Sequence, residues 1–135
     1  MTQEAAKQET GKQDAGKPGR WPVGVRVTDK GRRLVITFDS GESFSLSAEY
    51  LRVNSPSAEV QGHSPAERRV ESGKLDIAIT GAHATGNYAV RLVFSDGHQT
   101  GIFTWDYLYR LGAEEGEKWP AYLAELAARG LKREG

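Results

Sequence analysis

The sequence predicts an α+β fold, a mainly antiparallel β-sheet made by two repeated hairpin-plus-helix units, with a C-terminal amphipathic helix packed on it. Three observations carry that reading. Apolar residues alternate with period two between glycine-containing turns, the whole pattern recurs once, and one apolar stripe of helical period stands near the end. At 135 residues the chain has room for one ordinary domain.

Residues 1–20 are rich in Gln, Lys, Glu and Gly and hold almost nothing to bury. Such a segment cannot recover its ordering entropy, so it reads as a disordered tail. Order is expected from Trp21-Pro22. Val23, Val25 and Val27 alternate, then Leu34, Ile36 and Phe38, with Gly31 in the turn between them. Asp39-Ser40-Gly41 makes a second turn and Phe44 and Leu46 a third strand, which together read as a β-meander. Ser47 can cap a short helix that carries Tyr50 and Leu51.

From Asn54 to Gly73 no period is sustained, and Pro56, Gly62 and Pro65 interrupt the chain. Connections of about twenty residues are uncommon in compact domains and are often functional. Alternation resumes with Leu75, Ile77 and Ile79 as one strand, Gly81–Gly86 as a flexible connection with an exposed His83, and Tyr88–Phe94 as the next strand. Asp96-Gly97 is a hairpin turn, Thr100–Phe103 returns, and Thr104 can cap a helix bearing Trp105, Leu108 and Leu111. Residues 113–135 form a helical extension. Trp119, Tyr122, Leu123 and Leu126 make its stripe, Pro120 suits its first turn, and Gly130 its C-terminal cap.

The two meanders resemble each other residue by residue. Phe38 and Gly41 recur as Phe94 and Gly97 at an offset of 56, and Tyr50-Leu51 recurs as Tyr107-Leu108 at 57. Each unit reads as strand, tight turn, strand and capped helix. Neither could bury its apolar face alone, so both are expected in one core.

Composition removes several function classes. Eighteen cationic residues balance eighteen anionic ones, which argues against a nucleic-acid binder. There are no cysteines, so a disulfide scaffold, a thiolate metal site and a cysteine nucleophile are all excluded. Apolar runs are only a few residues long, far short of the ~20 a membrane span needs. The first twenty residues hold no apolar signal core, and a cytoplasmic location is expected. No G-x-S-x-G elbow, phosphate-binding loop or dinucleotide fingerprint is present, and no catalytic residue is assigned.

His98 follows a tight turn, which fixes the angle at which its ring leaves the sheet. His63 lies four residues after Glu59, so a helix there would put both on one face, and His98, His63 and Glu59 are the candidate metal ligands. The bland alternatives are a solvated loop histidine at 63 and, at 98, a hairpin residue hydrogen-bonded to Asp96. Exposed aromatic side chains at Tyr88, Trp105 and Tyr109 point instead to a partner surface. With Arg52, Ser55, Ser57, Asn87 and Asp96 they complete the binding-surface candidates.

Four phrases carry a resemblance: Leu51 to Val60 (LRVNSPSAEV), Gly86 to Val90 (GNYAV), Phe94 to His98 (FSDGH) and Gly101 to Leu108 (GIFTWDYL). Together they resemble the gamma-butyrobetaine hydroxylase-like N-terminal domain, also catalogued as bacterial domain of unknown function 971, over about residues 21–112. In the hydroxylases this domain precedes a catalytic jelly roll, for which 135 residues leave no room, so 2-oxoglutarate chemistry is not expected. The resemblance further implies a zinc site of three cysteines and one histidine. Its positions fall on Ser55, Ser57, Val60 and His98, where hydroxyls and a valine cannot replace thiolates. Fusion of some members to iron–sulfur cluster carriers supplies the metal-related expectation.

The resulting expectation is a stand-alone accessory domain that binds an unknown protein partner and no nucleic acid or membrane. The alternative is a zinc- or iron-binding domain using His98 and His63, and a small hydrolase or isomerase around Asp96 and His98 is third. If the two units meet as the family resemblance suggests, Leu51–Val60 should run past the Asp96-Gly97-His98 turn, and His98 should face Ser55 and Ser57 at the place where the hydroxylase-like domains hold zinc.

Overall fold

The computed structural model describes residues 21–57 and 70–134. The expected tail over 1–20 lies outside those residues, as do Glu59, Val60 and His63. Among the described residues there are two three-stranded antiparallel sheets, with strand orders β1-β2-β3 and β4-β5-β6. In the first, β1 (Pro22–Thr28), β2 (Arg33–Phe38) and β3 (Ser43–Ser47) run into α1 (Ala48–Val53). In the second, β4 (Ile79–Thr85), β5 (Ala89–Phe94) and β6 (Ile102–Thr104) run into α2 (Trp105–Ala113), and α3 (Glu115–Ala128) follows.

The sequence repeat is a structural repeat, and it reaches further than the sequence pattern indicates. Both first strands have seven residues and break register at the same place, between Pro22 and Gly24 and between Ile79 and Gly81. Both helices are capped alike, since the Ser47 hydroxyl accepts from the Tyr50 amide and the Thr104 hydroxyl from the Tyr107 amide. The two units also grip each other reciprocally. Tyr50 donates its phenol to the Leu111 carbonyl, and Tyr107, 57 positions later, donates to the Asn54 carbonyl, both at 2.6 Å. Residue i touching j′ while i′ touches j is the signature of a two-fold arrangement.

One core lies between the units. It takes Leu34, Ile36 and Phe38 from β2, Tyr50 and Leu51 from α1, Leu92 and Phe94 from β5, and Leu108 and Leu111 from α2. Burying each such side chain is worth roughly 1.5–3 kcal/mol, which holds a six-residue helix that would melt alone. All six residues of α1 are buried, because α3 and the C-terminal segment cover its outer side. Val53 packs with Tyr122 and Leu126, and Arg133 forks onto Glu49 at 2.8 and 2.9 Å while lying over the Trp119 ring.

Five local expectations are corrected. Leu75 to Ile79 is not a strand. The chain turns at Lys74–Ile77, the Gly73 and Leu75 amides bond to the Lys132 and Arg133 carbonyls, and β4 begins only at Ile79. Ile77 and Ile79 are nonetheless buried, so the alternation marked depth rather than strand backbone. Gly81–Gly86 is accordingly β4 itself and its turn, with His83 exposed and paired in register with Arg91. Val23 and Val27 are exposed: Val23 falls at the bulge between Pro22 and Gly24, and Val27 lies opposite the buried Leu34 but at the uncovered edge of the sheet, while Val25, opposite Ile36, packs against the core. Pro120 sits in the second turn of α3, since the helix starts directly after α2, and Leu123 falls outside a stripe of Trp119, Tyr122 and Leu126. Gly130, at φ +68°, does end that helix: its amide bonds to Ala127 and that of Leu131 to Leu126.

Candidate functional site

The site lies where the end of α1 meets the β5–β6 turn. At the turn, Gly97 donates to the Phe94 carbonyl and Phe94 to the His98 carbonyl, both at 2.9 Å, with Gly97 at φ +91°. This is a three-residue hairpin with glycine in the left-handed position. The Asp96 carboxylate accepts the His98 amide at 3.0 Å, which locks the backbone and sends the imidazole inward beside the Phe94 ring. His98 is only 8% exposed.

Facing it, α1 gives way to Asn54-Ser55-Pro56-Ser57. The Tyr107 phenol pins the Asn54 carbonyl, and Asn54 Nδ2 caps back onto the Tyr50 carbonyl at 2.9 Å. Ser55 is fully buried, and it fits because Gly101 across from it has no side chain: a Cβ there would collide with Ser55 Oγ. His98 Nε2 lies 2.9 Å from Ser55 Oγ and 3.4 Å from Ser57 Oγ, and the two hydroxyls are 3.3 Å apart. The juxtaposition expected of the Leu51–Val60 segment and the histidine turn is therefore present for both serines.

A charged ring surrounds this triad. Asp96 Oδ2 accepts from Arg52 Nε at 2.9 Å and from Lys74 Nζ at 2.8 Å, and Arg52 Nη2 is 3.5 Å from Glu71. Arg52 is 7% exposed, and among the described residues its Nη1 has no hydrogen-bond partner. Burial works to raise the Asp96 pKa, but the hydrogen bonds from Lys74, the His98 amide and Arg52 together outweigh it and hold the carboxyl at about 2. Among the described residues the ring pairs two cations with two anions, and such pairing offsets the cost of burying charge.

The arrangement resembles a serine–histidine pair. Ser55 has no exposed surface, and the Asp96 carboxylate serves the His98 backbone, Arg52 and Lys74. The metal implied by the family resemblance does not fit the residues present either. Serine hydroxyls stay protonated at neutral pH, and here they are already engaged with the imidazole and with each other. Among the described residues no group of three His, Cys, Asp or Glu side chains could hold a metal ion.

The other candidates lie apart. Tyr88 is exposed, Trp105 is half-buried with its indole N–H on the Asn87 carbonyl, and Tyr109 is half-buried against Phe38 and Phe44. Lys74, Glu71, Tyr107 and Gly101 belong to the site and were not proposed as site residues from sequence. Tyr107 carried a signal through the repeated Tyr-Leu pair, and Gly101 opens one of the phrases that carry the family resemblance. A cavity of about 430 Å³ lies elsewhere, against Arg33, Glu49, Trp119 and Arg133. Its charged walls largely satisfy one another, so the buried triad is the better candidate.

Comparisons with known proteins agree with this architecture. The model of the family "gamma-butyrobetaine hydroxylase-like, N-terminal" matches residues 25–109. Two proteins with NMR solution structures align at 43% and 42% identity, with TM-scores of 0.74 and 0.73. They cover 85% and 87% of this chain and 90% and 89% of their own. A crystal structure of a protein of unknown function of the DUF971 family from Acidithiobacillus ferrooxidans aligns at 38% identity and TM-score 0.58, over 69% of this chain and 93% of that one. No curated protein matches the chain. On the family model and these relatives together, the chain belongs to the gamma-butyrobetaine hydroxylase-like N-terminal domain family.

Proposed function

We propose that this chain is a non-catalytic accessory domain that binds a protein partner in the cytoplasm, and that its His98–Ser55–Ser57 junction is structural. The observation that carries this is the His98 ring nitrogen 2.9 Å from a fully buried serine hydroxyl. A histidine held this way is hydrogen-bonded in place, with no approach for a substrate. The partner surface we assign is the exposed apolar edge of the second unit, where Tyr88 (52% exposed) and Ile102 (40% exposed) flank Trp105 and Asn87. Balanced charge favours a protein there over nucleic acid. Among the described residues no helix is long and apolar enough to cross a membrane.

A second reading keeps a zinc or iron ion at His98, completed by His63 and Glu59. It is favoured by the convergence of His98, Ser55 and Ser57 on one point, the positions to which the family resemblance assigns metal ligands. Elemental analysis of protein purified without a histidine tag separates the two. The accessory reading expects far less than one zinc or iron per chain and an unchanged Tm in chelator. Stoichiometric metal that is lost in His98→Ala would establish the second reading instead.

A further inference from the structure

β1 and β4 hold the same place in the two units, with the same length and the same bulge, and both are edge strands. Their apolar content differs. Val23, Val25 and Val27 stand in β1 where Thr80, Ala82 and Ala84 stand in β4. Val23 is 67% and Val27 41% exposed, so the first edge presents two β-branched side chains to water that the second edge does without. Long apolar edges invite pairing with another strand, and proteins normally blunt them.

The backbone of β1 is open on that side. The Phe38 amide bonds to Glu42 toward β3, and the Asp39 amide to Trp21 toward β1. Polar groups alternate along an antiparallel strand, so Arg33, Val35 and Thr37 face β1. Their partners Thr28, Arg26 and Gly24 face back, which turns the N–H and C=O of Val25 and Val27 to the open edge.

We propose that β1 pairs antiparallel with β1 of a second copy of this chain, about a two-fold axis through Val25, joining two three-stranded sheets into one. In that register Val25 meets Val25 and exchanges both backbone bonds with it, while Val27 meets Val23 of the second copy. Arg26 falls opposite Gly24, so no guanidinium directly opposes another. The row Phe44–Ile36–Val25 then runs on into the same row of the second copy, and Val27, beside Leu34, gains an apolar neighbour. A second copy is favoured as the occupant because the valines at 23, 25 and 27 read alike from either end. Pro22 and the bulge stop the ladder at one end, so the pairing is short and depends on concentration. This surface is distinct from the Tyr88 and Ile102 edge assigned to a partner above.

Sedimentation of the full-length chain from about 10 µM to about 1 mM, a range suited to weak association, is expected to show a monomer passing into a dimer. Over the same range, hydrogen exchange at the Val25 and Val27 amides should slow, while that at Ala82 and Ala84 of β4 does not change. Val23→Lys/Val27→Lys sets like charges against each other across the axis and should weaken association by about tenfold or more. Thr80→Lys/Ala84→Lys should leave it unaltered. A chain that stays monomeric throughout overturns the proposal and leaves the edge to an extended segment of another protein. A dimer with unprotected Val25 and Val27 amides, or one that survives the β1 variant, overturns it as well. Should the β1 variant not fold, the exchange contrast between β1 and β4 in the unaltered chain decides alone.

Discussion

The internal two-fold builds two junctions from the same parts and fills them with different chemistry. At one, the end of α1 meets the β5–β6 turn through Arg52, Ser55, Asp96 and His98. At the other, the end of α2 meets the β2–β3 turn, and Tyr109 stands at the position of Arg52 while Glu42 stands at that of His98. There Phe38, Phe44 and Tyr109 pack edge to face with centroids 5.3–6.2 Å apart, and the Tyr109 phenol donates to Glu42 at 2.9 Å. The turns are alike: Gly41 donates to Phe38 and Phe38 to Glu42, as Gly97 does to Phe94 and Phe94 to His98. The close approaches are alike too, with Gly112 under the Phe44 ring where Gly101 lies under Ser55. The scaffold therefore closes well on aromatic side chains. Replacing a buried ion pair by apolar side chains of similar volume is often neutral or stabilising, so the polar filling of the first junction is not the more stable of the two solutions by default.

The comparison breaks most sharply on the aromatic side. Phe38→Ala removes a ring that is 1% exposed and touches both aromatic neighbours, and is expected to cost about 3–5 kcal/mol in denaturant melts. At the polar junction the largest loss should come from Asp96→Ala, which leaves Arg52 buried with Glu71 alone. A broken buried pair typically costs 3–5 kcal/mol, but Asp96 is partly solvated, and about 2–3 kcal/mol is expected. A greater loss for Asp96→Ala than for Phe38→Ala would make the polar junction the main clamp.

Tyr50→Phe and Tyr107→Phe sharpen the two-fold itself. Each removes one 2.6 Å phenol-to-carbonyl bond between the units, so both should lose about 1–1.5 kcal/mol. Burial above all, then the Glu115 carboxylate, keeps the Tyr50 phenol protonated and donating throughout the working pH range. Losses that differ several-fold between the variants would show that the two grips are not equivalent.

What the sequence disclosed follows the same division. The repeat, both hairpin glycines and both helix caps were legible, because each rests on residues close in the chain, whereas the inward His98 was expected only through the family resemblance. The β1 valines misled because period two reports alternation and not which sheet edge a strand occupies. Leu75 to Ile79 misled because buried positions can alternate through a turn. Lys74 and Glu71 were invisible for another reason. They reach Asp96 and Arg52 from a stretch without period, and only the tertiary fold brings them there. The unpartnered Arg52 Nη1 is likewise a fact of packing.

The smallest expected effect separates the junctions by pH. Asp96 is the described carboxyl whose pKa is clearly displaced, from 3.8 to about 2, and it belongs to the polar junction. A carboxyl with a lowered folded pKa binds its proton more readily when unfolded. Its contribution is therefore complete above the unfolded pKa near 4 and is lost as pH falls through about 2. Solvent reaches this carboxylate, so after screening the contribution is set below ~1 kcal/mol. Denaturant melts between pH 5 and 2 should show the unaltered chain losing stability more steeply than Asp96→Asn, while Phe38→Leu falls in parallel with the unaltered chain. Parallel curves for Asp96→Asn would mean that the ion pairs to Arg52 and Lys74 do not stabilise the fold. The two junctions would then differ in composition but not in how they respond to protons.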